Sequence, residues 1–82
     1  MATVTVKFFG PLKDIVGKDD LQLDLPPPGS GETAFNRLAE LYPGLLEWKG
    51  SVRLAVNLEY ALLDGVLNDG DEISFIPPVS GG

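Results

Sequence analysis

The 82-residue sequence contains no cysteine and no histidine. The first absence excludes disulfides, thiolate nucleophiles and cysteine-held zinc. The second removes the commonest metal ligand and the one side chain that ordinarily titrates near neutral pH. Basic residues are also scarce, six against twelve acidic ones, for a formal net charge of −6. Lys7, Lys13, Lys18, Arg37, Lys49 and Arg53 are scattered along the chain. The clustered cationic surface that nucleic acid or an anionic membrane needs is therefore not expected, and a basic protein partner fits the charge better. Long apolar runs are missing as well. The opening "MATVTVKFFG" has neither a basic leader region nor a membrane-spanning stretch, so the expected location is the cytoplasm.

What remains is an ordinary globular composition, 44% hydrophobic and 22% charged, too apolar for disorder and too short for two cores. One domain is expected. In Thr3 to Phe9, Val4, Val6 and Phe8 alternate with Thr3, Thr5, Lys7 and Phe9, which predicts a strand with one aromatic residue on its polar face. Pro11 at a helix start, Leu12, Ile15 and Val16 on one side, and Gly17 as a stop predict a short helical turn. Lys18 to Leu25 alternates again, with Leu21, Leu23 and Leu25 inward, and predicts a strand antiparallel to the first.

"PPPGSG" at 26–31 reads as a loop. Thr33 is the expected N-cap of an amphipathic helix carrying Phe35, Leu38, Ala39 and Tyr42, stopped by Pro43-Gly44. Leu45 to Trp48 has no clear period and is expected to be an irregular, partly buried connection. Val52, Leu54, Val56 and Leu58 predict a long third strand running to Glu59, with Tyr60 to Leu63 a short fourth. "NDGD" at 68–71 predicts a turn, and Glu72 to Ile76 a last strand ended by Pro77-Pro78. The order of elements implies an α+β architecture, a sheet with one main helix across one side.

The acidic residues show no metal-ligand or paired-carboxylate pattern. Asp69 and Asp71 belong to a turn, and Asp14, Asp19, Asp20 and Asp24 to a solvated flank, so no metal site is expected. "PGSGET" lacks the Gly-Lys-Ser/Thr ending of a phosphate-binding loop. Two features are less ordinary. Phe9 and Ile76 are large apolar residues on the polar faces of the first and last strands. If those strands are neighbours, the two form a contact patch leading to the tail, unless the segment around Leu45–Trp48 covers them. The sequence also closes on "PPVSGG". Two glycines at an end are commonly frayed backbone, yet Gly-Gly is also the narrowest peptide a chain can offer to a tight channel. The carboxylate of Gly82, once adenylated, becomes an acyl group open to sulfur or amine nucleophiles. Both readings stand on the residues alone, as do strand termination and a pre-stiffened exit for Pro77 and Pro78.

The stretch "LNDGDEISFIPPVSGG" (67–82), with "AVN" (55–57) and "VKFFG" (6–10), resembles the MoaD/ThiS sulfur-carrier family, and the likeness extends over essentially the whole chain. The resemblance implies a ubiquitin-like β-grasp fold, a mixed sheet of four to five strands with one main helix, in which the first and last strands are parallel neighbours. It divides the chain into a β-grasp domain (1–76) and a flexible tail (77–82). It further implies that an ATP-dependent, ubiquitin-activating-like adenylyltransferase activates Gly82, which a sulfur donor converts to a thiocarboxylate. The tail would then enter the large subunit of molybdopterin synthase, in a heterotetramer of two small and two large subunits. There it would give sulfur to cyclic pyranopterin monophosphate and build the molybdopterin dithiolene.

On that resemblance Gly81 and Gly82 carry the chemistry, Pro77, Pro78, Val79 and Ser80 form the tail, and Phe9 and Ile76 are the docking patch. No stably bound cofactor is implied, and ATP is consumed by the activating enzyme. A sulfur carrier for thiamine-thiazole synthesis, a ubiquitin-like protein modifier and a plain interaction domain are the competing readings.

Overall fold

Val4, Val6 and Phe8 recur at every second residue, and an extended strand sends all three to one side. In the computed structural model, which describes residues 2–78, that strand is β1 (Ala2–Phe8), with the three side chains almost wholly buried. Phe9 lies just beyond it rather than on its polar face: it is the extended N-cap (φ −134°, ψ 152°) of helix α1 (Gly10–Val16). Leu12 and Val16 face the core, and Gly17 ends the helix in the left-handed region (φ 77°), its N–H donating to the carbonyl of Lys13. Strand β2 (Asp20–Leu25) returns antiparallel to β1, setting Leu23 opposite Val4.

Helix α2 (Gly31–Leu41) begins three residues earlier than a Thr33 cap would allow. Ser30 is the N-cap, and its Oγ accepts the N–H of Thr33 at 3.1 Å. The hydroxyl that reaches a free N–H of the first turn is the one three positions upstream, which makes Thr33 the recipient and not the cap. Gly31 is where the helix meets the sheet: a side chain there would collide with Leu54. Phe35, Leu38 and Ala39 turn inward. The helix stops at Tyr42 because Pro43 disfavours helical geometry in the residue before it, and the Tyr42 N–H closes the last turn onto Leu38.

The 43–48 region, expected to be irregular, is a 3-10 segment (Pro43–Trp48) with Leu45 buried and Trp48 packed partly on the core. It packs against α2 and α1, on the helix side of the sheet, so it does not cover Phe9 or Ile76.

The long third strand is two strands. β3 (Arg53–Val56) and β4 (Glu59–Ala61) are antiparallel neighbours, joined by Asn57 (φ 49°) and Leu58 (φ 73°). Two successive positive φ values make a type I′ turn, whose twist matches that of paired strands. Asn57 is fixed there by its side chain: Oδ1 accepts the Glu72 N–H at 3.0 Å, and Nδ2 donates to Asp71 Oδ1 at 3.1 Å. Leu58 consequently leaves the expected inward row and stands at the hairpin tip, 94% exposed.

The turn at 68–71 forms as expected. Asn68 N–H donates to Asp71 Oδ2, Gly70 takes φ 87°, and Asp69 Oδ1 accepts the N–H of Thr3 at 2.8 Å. That bond fastens the turn to the start of β1, and from it β5 (Glu72–Ile76) runs parallel to β1 and antiparallel to β3. The sheet order is β2-β1-β5-β3-β4. Ile73 and Phe75 are buried beneath α2, and the Phe75 ring meets that of Phe35 edge to face, 5.2 Å between centroids and 79° between planes. A five-stranded mixed sheet crossed by one main helix is the α+β, β-grasp arrangement that the resemblance implies.

Candidate functional site

The last strand is the central one, so the chain leaves the sheet from its middle rather than from an edge. Pro77 and Pro78 have no N–H for a ladder, which ends pairing at Ile76. Gly10 borders this exit. Its φ of +55° suits a residue without a side chain, and a Cβ there would lie 3.8 Å from Pro77 Cγ. The start of α1 therefore stands beside the first residue of the tail. Of the sequence-predicted tail residues, Pro77 is half-buried and Pro78 exposed. Val79, Ser80, Gly81 and Gly82 lie outside the described residues.

The register decides what surrounds the exit. On the face away from the helices, Lys7, Ser74, Ala55 and Tyr60 form one row across β1, β5, β3 and β4. One step nearer the tail, Arg53 of β3 pairs with Ile76. Ile76 and Phe9 are both brought to the tail end of the sheet, Ile76 half-buried and Phe9 49% exposed. They line separate hollows, however. Ile76 shares one of ≈ 390 Å³ with Arg53, Tyr60, Pro77 and Pro78. Phe9 shares one of ≈ 380 Å³ with Lys7, Gly10, Lys13 and Asp19.

Charge around the two hollows differs. Beside Phe9 the cations are neutralised by neighbours: Lys13 Nζ lies 2.6 Å from Asp19 Oδ1, and Lys7 Nζ 3.3 Å from Glu72 Oε1. The hydrogen bond to Asp19, with that residue's charge, raises the Lys13 ammonium above the usual lysine range. Both pairs are solvent-exposed and add little to stability. Beside Ile76 the Arg53 guanidinium lies 5.9 Å from the centre of the Tyr60 ring. The sequence singled out neither Arg53 nor Tyr60. The alternation of 52–58 did mark Arg53 as outward, but only the pairing of β3 with β5 places it at the tail.

No cluster of three potential metal ligands occurs among the described residues, and no buried side chain among them is polar or charged. The chemistry the arrangement offers is that of a held-out peptide. A rigid sheet presents a proline-stiffened strand exit, with an apolar and a cationic group at its base.

Known proteins share this plan. The model of the ThiS family matches residues 6–82, a span that includes both closing glycines. The molybdopterin synthase sulfur carrier subunit of Dictyostelium discoideum is 40% identical over 82 residues, covering 94% of this chain and 93% of that protein. A chain in the protein–protein complex of subunits 1 and 2 of molybdopterin-converting factor from Helicobacter pylori is 32% identical. It superposes with a TM-score of 0.68 over 98% of this chain and 99% of that one. Small archaeal modifier protein 1 from Methanosarcina acetivorans is 29% identical, with a TM-score of 0.84 over 100% of this chain and 98% of that one.

Proposed function

The chain belongs to the ThiS family, and from that premise we propose that it works as the sulfur carrier subunit of molybdopterin synthase. The observation that carries this reading is full-length similarity to a protein of that name, 40% identical over 94% of this chain and 93% of that protein. It forms a complex with subunit 2 of the synthase, as the Helicobacter pylori relative does. The finer assembly, two small and two large subunits, is part of the proposal.

The chemistry runs through Gly82. Its carboxylate oxygen attacks the α-phosphorus of ATP in a ubiquitin-activating-like adenylyltransferase, releasing pyrophosphate and leaving an acyl adenylate. A sulfur nucleophile from a donor then attacks the acyl carbon, AMP leaves, and the residue ends as a thiocarboxylate. Splitting the exchange in two replaces one poor electrophile by a mixed anhydride that opens readily. In the synthase, the sulfur passes to cyclic pyranopterin monophosphate, and two deliveries complete the dithiolene. Gly81 and Gly82 put no side chain near the reacting carbon. Pro77 and Pro78 have their own φ angles fixed by the ring, so less conformational freedom is lost when the partner orders the tail. The need for ATP supports a cytoplasmic location.

A second reading is favoured by the likeness to small archaeal modifier protein 1: the same acyl adenylate, met by a lysine amine, would give an isopeptide conjugate. The intact mass of the protein before and after incubation with ATP, its activating enzyme and sulfide separates the two. The expected change is one oxygen replaced by one sulfur at Gly82, abolished by deleting Gly81 and Gly82 while the fold and thermal midpoint stay as they were. Cofactor synthesis retained by that truncation refutes the carrier reading, and conjugates that resist both reduction and denaturation support the modifier.

A further inference from the structure

The chain carries −6 overall, so the surface that receives it is expected to be basic. At the exit of the tail the local charge is of the opposite sign. Lys7, Lys13 and Arg37 are each engaged by a carboxylate, of Glu72, Asp19 and Glu40 respectively. Arg53 has no carboxylate within ion-pairing distance among the described residues. Its guanidinium is instead set against the Tyr60 ring, in the hollow formed with Ile76, Pro77 and Pro78.

From this placement we infer that Arg53 is a specificity-determining contact: it takes a carboxylate of the synthase's subunit 2 at the rim of the opening that admits the tail. The inference rests on the carrier reading above. Three features of the site carry it. Arg53 pairs with Ile76 in the last rung of the sheet before the tail, so whatever surrounds the entering tail also faces the guanidinium. A planar guanidinium presents paired donors matched to a carboxylate. The Tyr60 ring, its centre 5.9 Å from the guanidinium carbon, attracts the cation at the outer range of a cation–π contact and favours keeping it in this hollow.

The charge pattern adds selectivity. A uniformly acidic carrier would be attracted to any basic surface in many orientations. One cation at the root of the tail rewards only the orientation that brings an acidic side chain to that point, and it repels a receptor whose rim is basic there. A phosphate of the pterin substrate is the other anion a guanidinium could take in the synthase, and the test separates it from a protein carboxylate because binding is measured with no substrate present.

Calorimetric titration of subunit 2 with the full chain, and with its Arg53→Gln and Arg53→Glu variants, decides the matter across a range of salt concentrations. Arg53 is exposed, so the variants are expected to fold, and circular dichroism with a thermal melt checks this. The expected result is a Kd raised severalfold by Arg53→Gln and roughly tenfold or more by Arg53→Glu, the gap between them narrowing as salt screens the repulsion. Variants that bind within twofold of the parent chain overturn the inference and leave the carrier reading untouched. A parent chain that does not bind subunit 2 at all overturns the carrier reading and the inference with it.

Discussion

Replacing Phe35 and Phe75 by leucine, singly and together, tests how the platform beneath the tail is held. The two rings belong to α2 and to the central strand, meet edge to face at 5.2 Å, and are 4% and 1% exposed. Such a pair contributes about 0.5–1.5 kcal/mol beyond the area it buries. A domain of this length has a total stability of roughly 4–12 kcal/mol at about 0.05–0.15 kcal/mol per residue. Truncation to alanine, costing about 3–5 kcal/mol, risks unfolding the chain outright. Leucine keeps most of the apolar volume while abolishing the ring–ring contact, and each single change is expected to cost about 1–2 kcal/mol. Urea unfolding followed by circular dichroism gives the three differences. The double variant is expected to be less destabilised than the sum of the singles by about 0.5–1.5 kcal/mol, with the denaturant slope unchanged. Additivity within about 0.3 kcal/mol would mean that the edge-to-face geometry contributes nothing beyond hydrophobic burial. Neither ring reaches the surface, so sulfur loading of Gly82 at temperatures below unfolding should match the parent chain.

Two further perturbations probe the surface and the hairpin. Phe9→Ala and Ile76→Ala are each expected to weaken binding to subunit 2 severalfold at unchanged stability, and a titration in which neither alters affinity would remove that residue pair from the interface. Leu58→Gly relieves a side chain held at φ 73° with nearly its whole surface in water. It should raise stability by about 0.5–1 kcal/mol, because the left-handed conformation costs leucine roughly 1–2 kcal/mol and glycine gives part of that back in unfolded-chain entropy. A thermal midpoint that falls instead would show that the I′ turn is not strained at that position.

The faces of the strands were legible because one-sided burial writes itself as a period of two. Val4, Val6 and Phe8, and later Ile73 and Phe75, all point where the alternation sends them. The hairpin was not legible, because Leu58 continues the apolar rhythm of Val52, Leu54 and Val56 and so disguises the turn as strand. What turns the chain there is Asn57, and what holds Asn57 is a pair of bonds to Asp71 and Glu72. Those partners lie fourteen and fifteen residues away, beyond the reach of any local pattern. The helix start is hidden for a more local reason. Ser30 and Thr33 are both capping residues, and the proline-rich run ahead of Ser30 assigned it to the loop.

The candidate site divides along the same line. Its tail is linear, six consecutive residues whose chemistry depends on their order alone, and a linear feature survives intact in a sequence. Its surroundings are tertiary: Arg53 and Tyr60 reach Ile76 only because β3 lies antiparallel beside β5 in one particular register, and a slip of one residue would send Arg53 inward. The two parts answer to different selective demands. On the carrier reading, a change in the tail alters what the chain is able to carry, whichever protein receives it. A change at Arg53 or Tyr60 leaves the terminal carboxylate as reactive as before and alters only which partner accepts it. Chains that share this sheet are therefore free to serve different receptors through side chains on the rungs nearest the exit.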